Sequence, residues 1–478
     1  MDDILIQRFL QTSGEAYLNT LDGGGGYRFL LNKVNDHPVL IINILNWSSG
    51  VDAKLIMDNE ESLLHYKNLN ELINKFQLNK IYINHLIWTN NFPEIFDEII
   101  NACKLIELNL YLHDFFSLCP TVNLLNFNGE YCGVPSYIEC KNCIDKYTHS
   151  PNTTHFAKKQ ISLYQPELNG DIRNWRNLWL KIFDHVRFII VPSQSTAEIF
   201  SKAYGNQYLE KIIVKPHCVK ETKNIEKKKK VTKSSFMNIY LLGYIDEHKG
   251  SRILKDLVDK TAKMRLNICY HVLGWFEYPA YENTPFLKLH GAYKPEQLPD
   301  LINQLEVDMF IQPSICPETF SYVVHEMKAT GIPILAFKLG AQADFLKDYP
   351  SSKLVDEISA QAMFKEIVNF YDKHVESLYP ILQVNNLNGE VLELVKSLQK
   401  KNLECSEQRC LIDQYKIQVN DLKKYKDNFA REDYESDQFN ALKRQLENAN
   451  NIIHAIQNSR SWKITLPLRL LGKLARKF

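Results

Sequence analysis

Apolar residues in this chain come in short continuous runs separated by amphipathic stretches, until a long polar pattern takes over at about residue 387. Runs at 39–45, 80–83, 108–112, 187–191 and 211–214, rich in Ile, Leu and Val, predict strands buried on both faces, as in a parallel sheet covered by helices. Residues 15–21 form a weaker candidate ahead of them. A second series at 237–242, 266–273, 308–311 and 334–337 alternates with helical patterns at 251–262 and 297–304. Between the series, residues 221–235 are nearly devoid of apolar side chains and include Glu226-Lys227-Lys228-Lys229-Lys230, the composition of a solvated linker. The pattern predicts an α/β protein with two domains, 1–220 and 236–385, built from βαβ units, with a ligand cleft at the carboxyl ends of the strands.

Further on, Phe439, Leu442, Leu446, Ala449, Ile453 and Ile456 recur at alternating three- and four-residue spacing, the seam of a coiled coil. Residues 386–457 are therefore expected to form a helical extension, closed either as a hairpin within the chain or as a homo-oligomer. Residues 458–478 carry no acidic side chain, and Leu470, Leu471, Leu474 and Phe478 share one helical face while Arg469, Lys473, Arg476 and Lys477 lie elsewhere. That tail is expected to make peripheral contact with an anionic membrane, the alternative being a helix packed on the protein's own surface.

Charge and composition narrow the picture. A formal net charge of +1 excludes nucleic acid as a bulk electrostatic partner. No run approaches the ~20 apolar residues needed to span a bilayer. The acidic start Met1-Asp2-Asp3-Ile4 lacks a secretory-signal pattern, so the expected location is cytoplasmic, at the inner face of the membrane if the tail binds there. In that compartment the ten cysteines are expected to be thiols or metal ligands rather than disulfides. Cys119, Cys132, Cys140 and Cys143 stand out, because the Cys140-x2-Cys143 spacing suits tetrahedral zinc and the other two complete four ligands. Free thiols and a redox-sensitive pair are the alternatives.

The segment with the most chemistry is Pro317-Glu318-Thr319-Phe320-Ser321-Tyr322-Val323-Val324-His325-Glu326, which follows a strand candidate and runs on to Gly331-Ile332-Pro333. Eight residues of helix span only ~12 Å, so Glu318 and Glu326 can serve one elongated ligand across a helix N-terminus, where free N–H groups seat a diphosphate. The segment resembles the Glu-x7-Glu motif of family-4-type retaining glycosyltransferases with the GT-B fold. Leu242-Gly243-Tyr244-Ile245-Asp246-Glu247-His248-Lys249-Gly250 resembles the phosphate loop of that family, with Lys249 at its lysine and Tyr244 where an arginine is usual. Asp22-Gly23-Gly24-Gly25-Gly26 looks like the glycine-rich loop after the first strand, and His113-Asp114 falls at a strand's carboxyl end. Val191-Pro192-Ser193, Lys215-Pro216-His217 and Lys294-Pro295-Glu296 resemble flanking blocks of the same family, so the likeness runs over roughly residues 20–385.

The resemblance implies a GT-B fold, two Rossmann-like domains facing a cleft, and transfer of a sugar from a nucleotide-sugar donor to a glycan or lipid-linked acceptor in surface polysaccharide assembly. It implies that Glu318 holds the donor sugar, Glu326 the ribose and Lys249 the diphosphate. Backbone amides of Phe320 and Ser321 would add to the phosphate site, and Gly24, Gly25 and His113 would lie across the cleft near the transferred group. No catalytic metal is expected, and any zinc would be structural. Two other readings compete. One is a non-catalytic GT-B scaffold recruiting partners at a membrane, and the other a sugar-nucleotide epimerase working without an acceptor.

Overall fold

The computed structural model describes residues 2–378 except 13, 21–23, 35–37, 45–48, 58–59, 90, 148, 151–153, 220–235 and 282–283. The expected linker at 221–235, the coiled-coil seam and the basic tail lie outside these residues. Among those described, no helix is long and apolar enough to cross a membrane.

Eight strands form the first sheet: β1 Glu15–Asn19, β2 Val39–Asn43, β3 Val51–Met57, β4 Glu60–Tyr66, β5 Lys80–His85, β6 Glu107–Tyr111, β7 Ile189–Val191 and β8 Ile212–Val214, in the spatial order β4-β3-β2-β1-β5-β6-β7-β8. From β2 to β8 neighbours run parallel. The weak candidate at 15–21 is thus the central strand β1. The expectation of a purely parallel sheet fails at one edge, where β3 and β4 add an antiparallel hairpin to β2. An edge hairpin faces solvent on one side, so its strands alternate polar and apolar instead of running continuously apolar. Val51–Met57 shows this alternation, with Asp52 exposed between buried Val51 and Ala53.

Six strands form the second sheet, all parallel: β9 Met237–Ile245, β10 Ile268–Phe276, β11 Leu287–Leu289, β12 Met309–Gln312, β13 Ile334–Phe337 and β14 Ser352–Val355, in the order β11-β10-β9-β12-β13-β14. Counted within the domain, this is the 3-2-1-4-5-6 order of a doubly wound sheet. The continuous apolar runs are explained by burial on two sides. Ile239 and Leu241 of β9 pack with Leu254, Leu257 and Val258 of helix Ser251–Met264, while Tyr240 and Leu242 face Val324 and Met327 of helix Tyr322–Ala329. Each such fully buried aliphatic side chain contributes ~1.5–3 kcal/mol.

Winding direction reverses between β1 and β5 in the first sheet and between β9 and β12 in the second. Crevices open at such reversals, outside the carboxyl ends of the strands. The loops that meet there follow β1 and β5 in one domain and β9 and β12 in the other. The Lys249 segment and Glu318 lie on the loops after β9 and β12, and helix Gly24–Val34 follows β1.

Candidate active site

In the second domain, the loops after β9 and β12 cross in close contact. Gly250 has φ +87, and a Cβ there would lie 2.0 Å from the carbonyl oxygen of Pro313. Glycine is therefore required for the loops to pass, and their passage sets Lys249 against Glu318, Nζ to Oε1 at 2.8 Å. The same Oε1 accepts from Ser314 Oγ at 2.6 Å and Gln312 Nε2 at 2.8 Å. Glu318 is 7% exposed. Burial pushes its carboxyl up, yet Lys249 and the hydroxyl of Ser314 outweigh that and hold it below the usual carboxylate range. Lys249 shows the complementary balance: burial lowers its ammonium, the Glu318 carboxylate more than offsets this, and the result is a raised pKa. Gly340 is likewise pressed against this loop, its would-be Cβ 2.6 Å from Pro317 Cα.

Helix Tyr322–Ala329 begins with Ser321 at its N-cap but with no side-chain cap bond, and the buried Ser321 hydroxyl bears instead on the Glu318 carboxylate. A helix start without a cap leaves first-turn N–H groups for a ligand. Phe320 packs on His217 and His325, with its ring centroid 4.5 and 4.8 Å from theirs. Glu326 lies one turn into the helix and is 3% exposed. Its Oε1 takes the Arg28 guanidinium of the opposite domain at 2.8 Å, and its Oε2 accepts from the Tyr293 hydroxyl. The Arg28 guanidinium also lies 4.2 Å above the Tyr322 ring.

The glycine run departs from expectation. Gly24, Gly25 and Gly26 form the first turn of helix Gly24–Val34 rather than a loop ahead of it. A Cβ on Gly24 would meet nothing within 4 Å, and one on Gly25 would come no closer than 3.9 Å to Tyr322. Gly24 therefore stands in open space, and Gly25 faces the start of the second domain's helix. A Cβ on Gly26 would lie 3.4 Å from the His113 ring, so this helix start packs in van der Waals contact over His113.

His113 is engaged on both nitrogens, Nε2 with Asn84 Oδ1 at 2.6 Å and Nδ1 with His217 Nε2 at 3.1 Å. Asn84 Nδ2 donates onward to Asn19 Oδ1 at 2.8 Å. With that amide orientation, His113 carries its proton on Nε2 and accepts on Nδ1 from His217. Burial, then the neighbouring His217 and His85, drive the His113 pKa well below 6.5, and burial brings His217 to about 3, so both rings are neutral at pH 7. Asp114 turns away to His85 Nε2 at 2.8 Å. The backbone carbonyl of His113 accepts from Thr319 Oγ at 2.6 Å, a second tie between the domains.

The structure thus gathers Gly24, Gly25, Lys249, Ser321, Glu318 and Glu326 around one cleft. It adds Arg28 and Tyr293, which sequence reasoning missed because neither belongs to a local motif. Cys119, Cys132, Cys140 and Cys143 lie elsewhere, lining one cavity of about 330 Å³ with Arg176. The loop around that cavity holds Val122, Leu124 and Val134 at positive φ, and Leu125 from it packs into the core of the second domain. All four are free thiols. Among the described residues, no three His, Cys, Asp or Glu side chains converge closely enough to hold a metal ion.

Two Rossmann-like domains facing a cleft, with doubly wound sheets and the cleft at their switch points, define a GT-B architecture. No protein-family model matches the chain, and no curated protein does. Solved structures similar to it include HepE of Anabaena in complex with UDP and glucose, at 14% identity over 75% of this chain and 89% of that one, TM-score 0.45. A glycosyltransferase from Rickettsia africae is 15% identical over 94% and 100%, TM-score 0.44. The catalytic domain of starch synthase IV from Arabidopsis thaliana, bound to ADP and acarbose, is 11% identical over 82% and 99%, TM-score 0.45.

Proposed function

We propose that the protein is a hexosyl-type glycosyltransferase that moves a sugar from a nucleotide-sugar donor to a glycan or lipid-linked acceptor, with retention of configuration, in surface polysaccharide assembly. The observation that supports this most is the convergence, at the switch point between β9 and β12, of the Lys249–Glu318 pair and the uncapped helix bearing Glu326. In this reading the diphosphate lies between the starts of helices Gly24–Val34 and Tyr322–Ala329, held by first-turn amides and by Lys249. Glu326 exchanges Arg28 for the ribose hydroxyls, and the released guanidinium turns to the phosphates. Glu318 presents its second oxygen to the donor sugar.

The acceptor oxygen bonds to the anomeric carbon as the bond to the phosphate oxygen breaks, and the acceptor proton passes to the departing diphosphate. That group gains charge in the transition state, where fixed cations and helix ends aimed at it are most effective. His113 serves as the wall behind Gly26, and its two nitrogens are already satisfied by protein partners. No side chain is assigned as a nucleophile.

Thermal unfolding against a panel of nucleotide sugars tests the reading. A donor at about 100 times its dissociation constant should stabilise the wild type by roughly 2.7 kcal/mol and leave Glu326→Ala unmoved. Transfer to an acceptor, with the product's anomeric configuration read by NMR, completes the test. A panel in which no nucleotide sugar binds, with or without acceptor, would refute it.

For the four cysteines we propose structural zinc. The donor set suits it, while their spacing around the cavity requires the thiols to draw inward on binding. Metal analysis of purified protein should find about one zinc per chain, lost in Cys140→Ser/Cys143→Ser, as a closed four-thiolate site holds a single ion. A metal-free wild type of unchanged stability would remove this reading.

A further inference from the structure

Two large aromatic side chains stand exposed at the carboxyl ends of neighbouring strands in the second domain. Tyr244 on β9 is 57% exposed and Trp275 on β10 is 43% exposed. They are register partners, and their rings stack at 4.3 Å between centroids with 9° between planes. Each follows a glycine that the geometry requires. Gly243 and Gly274 have φ +91 and +147, and a Cβ on Gly274 would lie 1.9 Å from the Gly243 carbonyl oxygen. The two strand ends are therefore built to close together and to hold the rings side by side. Leaving two stacked aromatic faces in water forgoes the burial such rings normally find.

The pair borders the Glu326 pocket. Gly274 bridges to Gly291, two residues before Tyr293, whose hydroxyl binds Glu326. Gly243 lies against Val323, its would-be Cβ 3.4 Å from that side chain, and Val323 is one helical turn before Glu326. Trp275 and Tyr244 thus each directly follow a glycine that contacts the surroundings of Glu326, Gly274 toward the Tyr293 segment and Gly243 toward Val323.

We propose that the Tyr244–Trp275 pair is the platform on which the nucleobase of the donor stacks. This rests on the proposed nucleotide-sugar reading and adds the base subsite to it. A nucleotide whose ribose is held by Glu326 and whose diphosphate lies toward Lys249 has its base at the opposite end from the phosphates. There a flat, uncharged, desolvatable surface is what a base requires. Stacking accepts any base, because every base has a π face, so the pair sets affinity for nucleotides more than choice among them.

The experiment is titration calorimetry of UDP, ADP, GDP and inorganic pyrophosphate against wild type, Trp275→Ala, Trp275→Phe and Tyr244→Ala. Loss of base stacking should weaken nucleoside diphosphates roughly 5- to 100-fold in Trp275→Ala. Trp275→Phe should retain most of the affinity, and pyrophosphate binding should be unchanged in all three variants. The substituted side chains are exposed, and circular dichroism and melting temperature verify that each variant folds. Equal nucleoside diphosphate affinity in wild type and Trp275→Ala overturns the platform while leaving the nucleotide-sugar reading intact. A pyrophosphate affinity that falls in parallel with the nucleotides also overturns it, by placing the defect at the phosphates. If wild type binds pyrophosphate but no nucleoside diphosphate, both this proposal and the reading it rests on fail.

Discussion

Glu318→Ala is expected to lower turnover by about 10²- to 10³-fold, the usual cost of removing one preorganised electrostatic contact to a transition state. The same change should destabilise the fold, since Lys249, Ser314 and Gln312 all lose the acceptor on which they converge. The cost is about 1–3 kcal/mol, kept to the lower part of the range for broken buried pairs because the Lys249 side chain is 30% exposed and water can recover its ammonium. Glu318→Gln separates the two effects. The amide keeps shape and an acceptor oxygen, so urea unfolding should return most of the stability, while initial rates stay near those of the alanine variant. An alanine variant that turns over within tenfold of wild type would remove Glu318 from the chemistry.

The second large effect is acid lability set by imidazoles. His217 and His271 are held to about 3 and His325 to about 4, each chiefly by burial, and His113 lies well below its ordinary value for the same reason. Unfolded, each would titrate near 6.5, so below that pH the unfolded chain binds protons that the native protein refuses. These groups therefore contribute stability that is fully present above about pH 6.5 and is lost as pH falls toward 3–4. Each contributes a slope of up to about 1.4 kcal/mol per pH unit in that window. The depressed Glu318 carboxyl acts in the same direction but lower, below the ordinary carboxylate range. Urea unfolding at pH 7.5, 6.0 and 5.0 should show the loss beginning above the ordinary carboxylate range. His217→Asn should flatten the slope by about one histidine's share, whereas equal stability at pH 7.5 and 5.0 would show that these rings accept protons in place.

Much of the site was legible because its elements are local. Lys249-Gly250 and Glu318 lie on the two loops of one switch point, and the eight-residue interval to Glu326 is a property of the chain itself. What escaped notice is what the fold brings from far away. Arg28 reaches Glu326 across 298 residues, and the Asn84–His113 bond spans 29. The glycine run reads as a loop because each glycine disfavours a helix by roughly 1 kcal/mol relative to alanine. Tertiary packing overrides that preference: the same helix buries Phe29 and Leu30, and its first turn packs toward His113 and Tyr322. The hairpin β3–β4 and the short edge strands β11 and β14 were hidden for another reason. Their alternating or three- to four-residue patterns lack the continuous apolar run that marks the interior strands.

The two helix starts have a consequence for the empty protein. Each carries about half a positive charge, and Arg28 of the first helix lies over the Tyr322 ring of the second. Four sources of like sign, counting Lys249, thus bear on a space answered by two carboxylates that are already engaged. Before substrate arrives, the domains are pulled together by Arg28–Glu326 and pushed apart by their own helix ends. On the proposed reading, a polyvalent anion bound there would reverse the sign of that second force. The diphosphate that leaves in the reaction would, on that reading, be the same group that bridges the two helix starts.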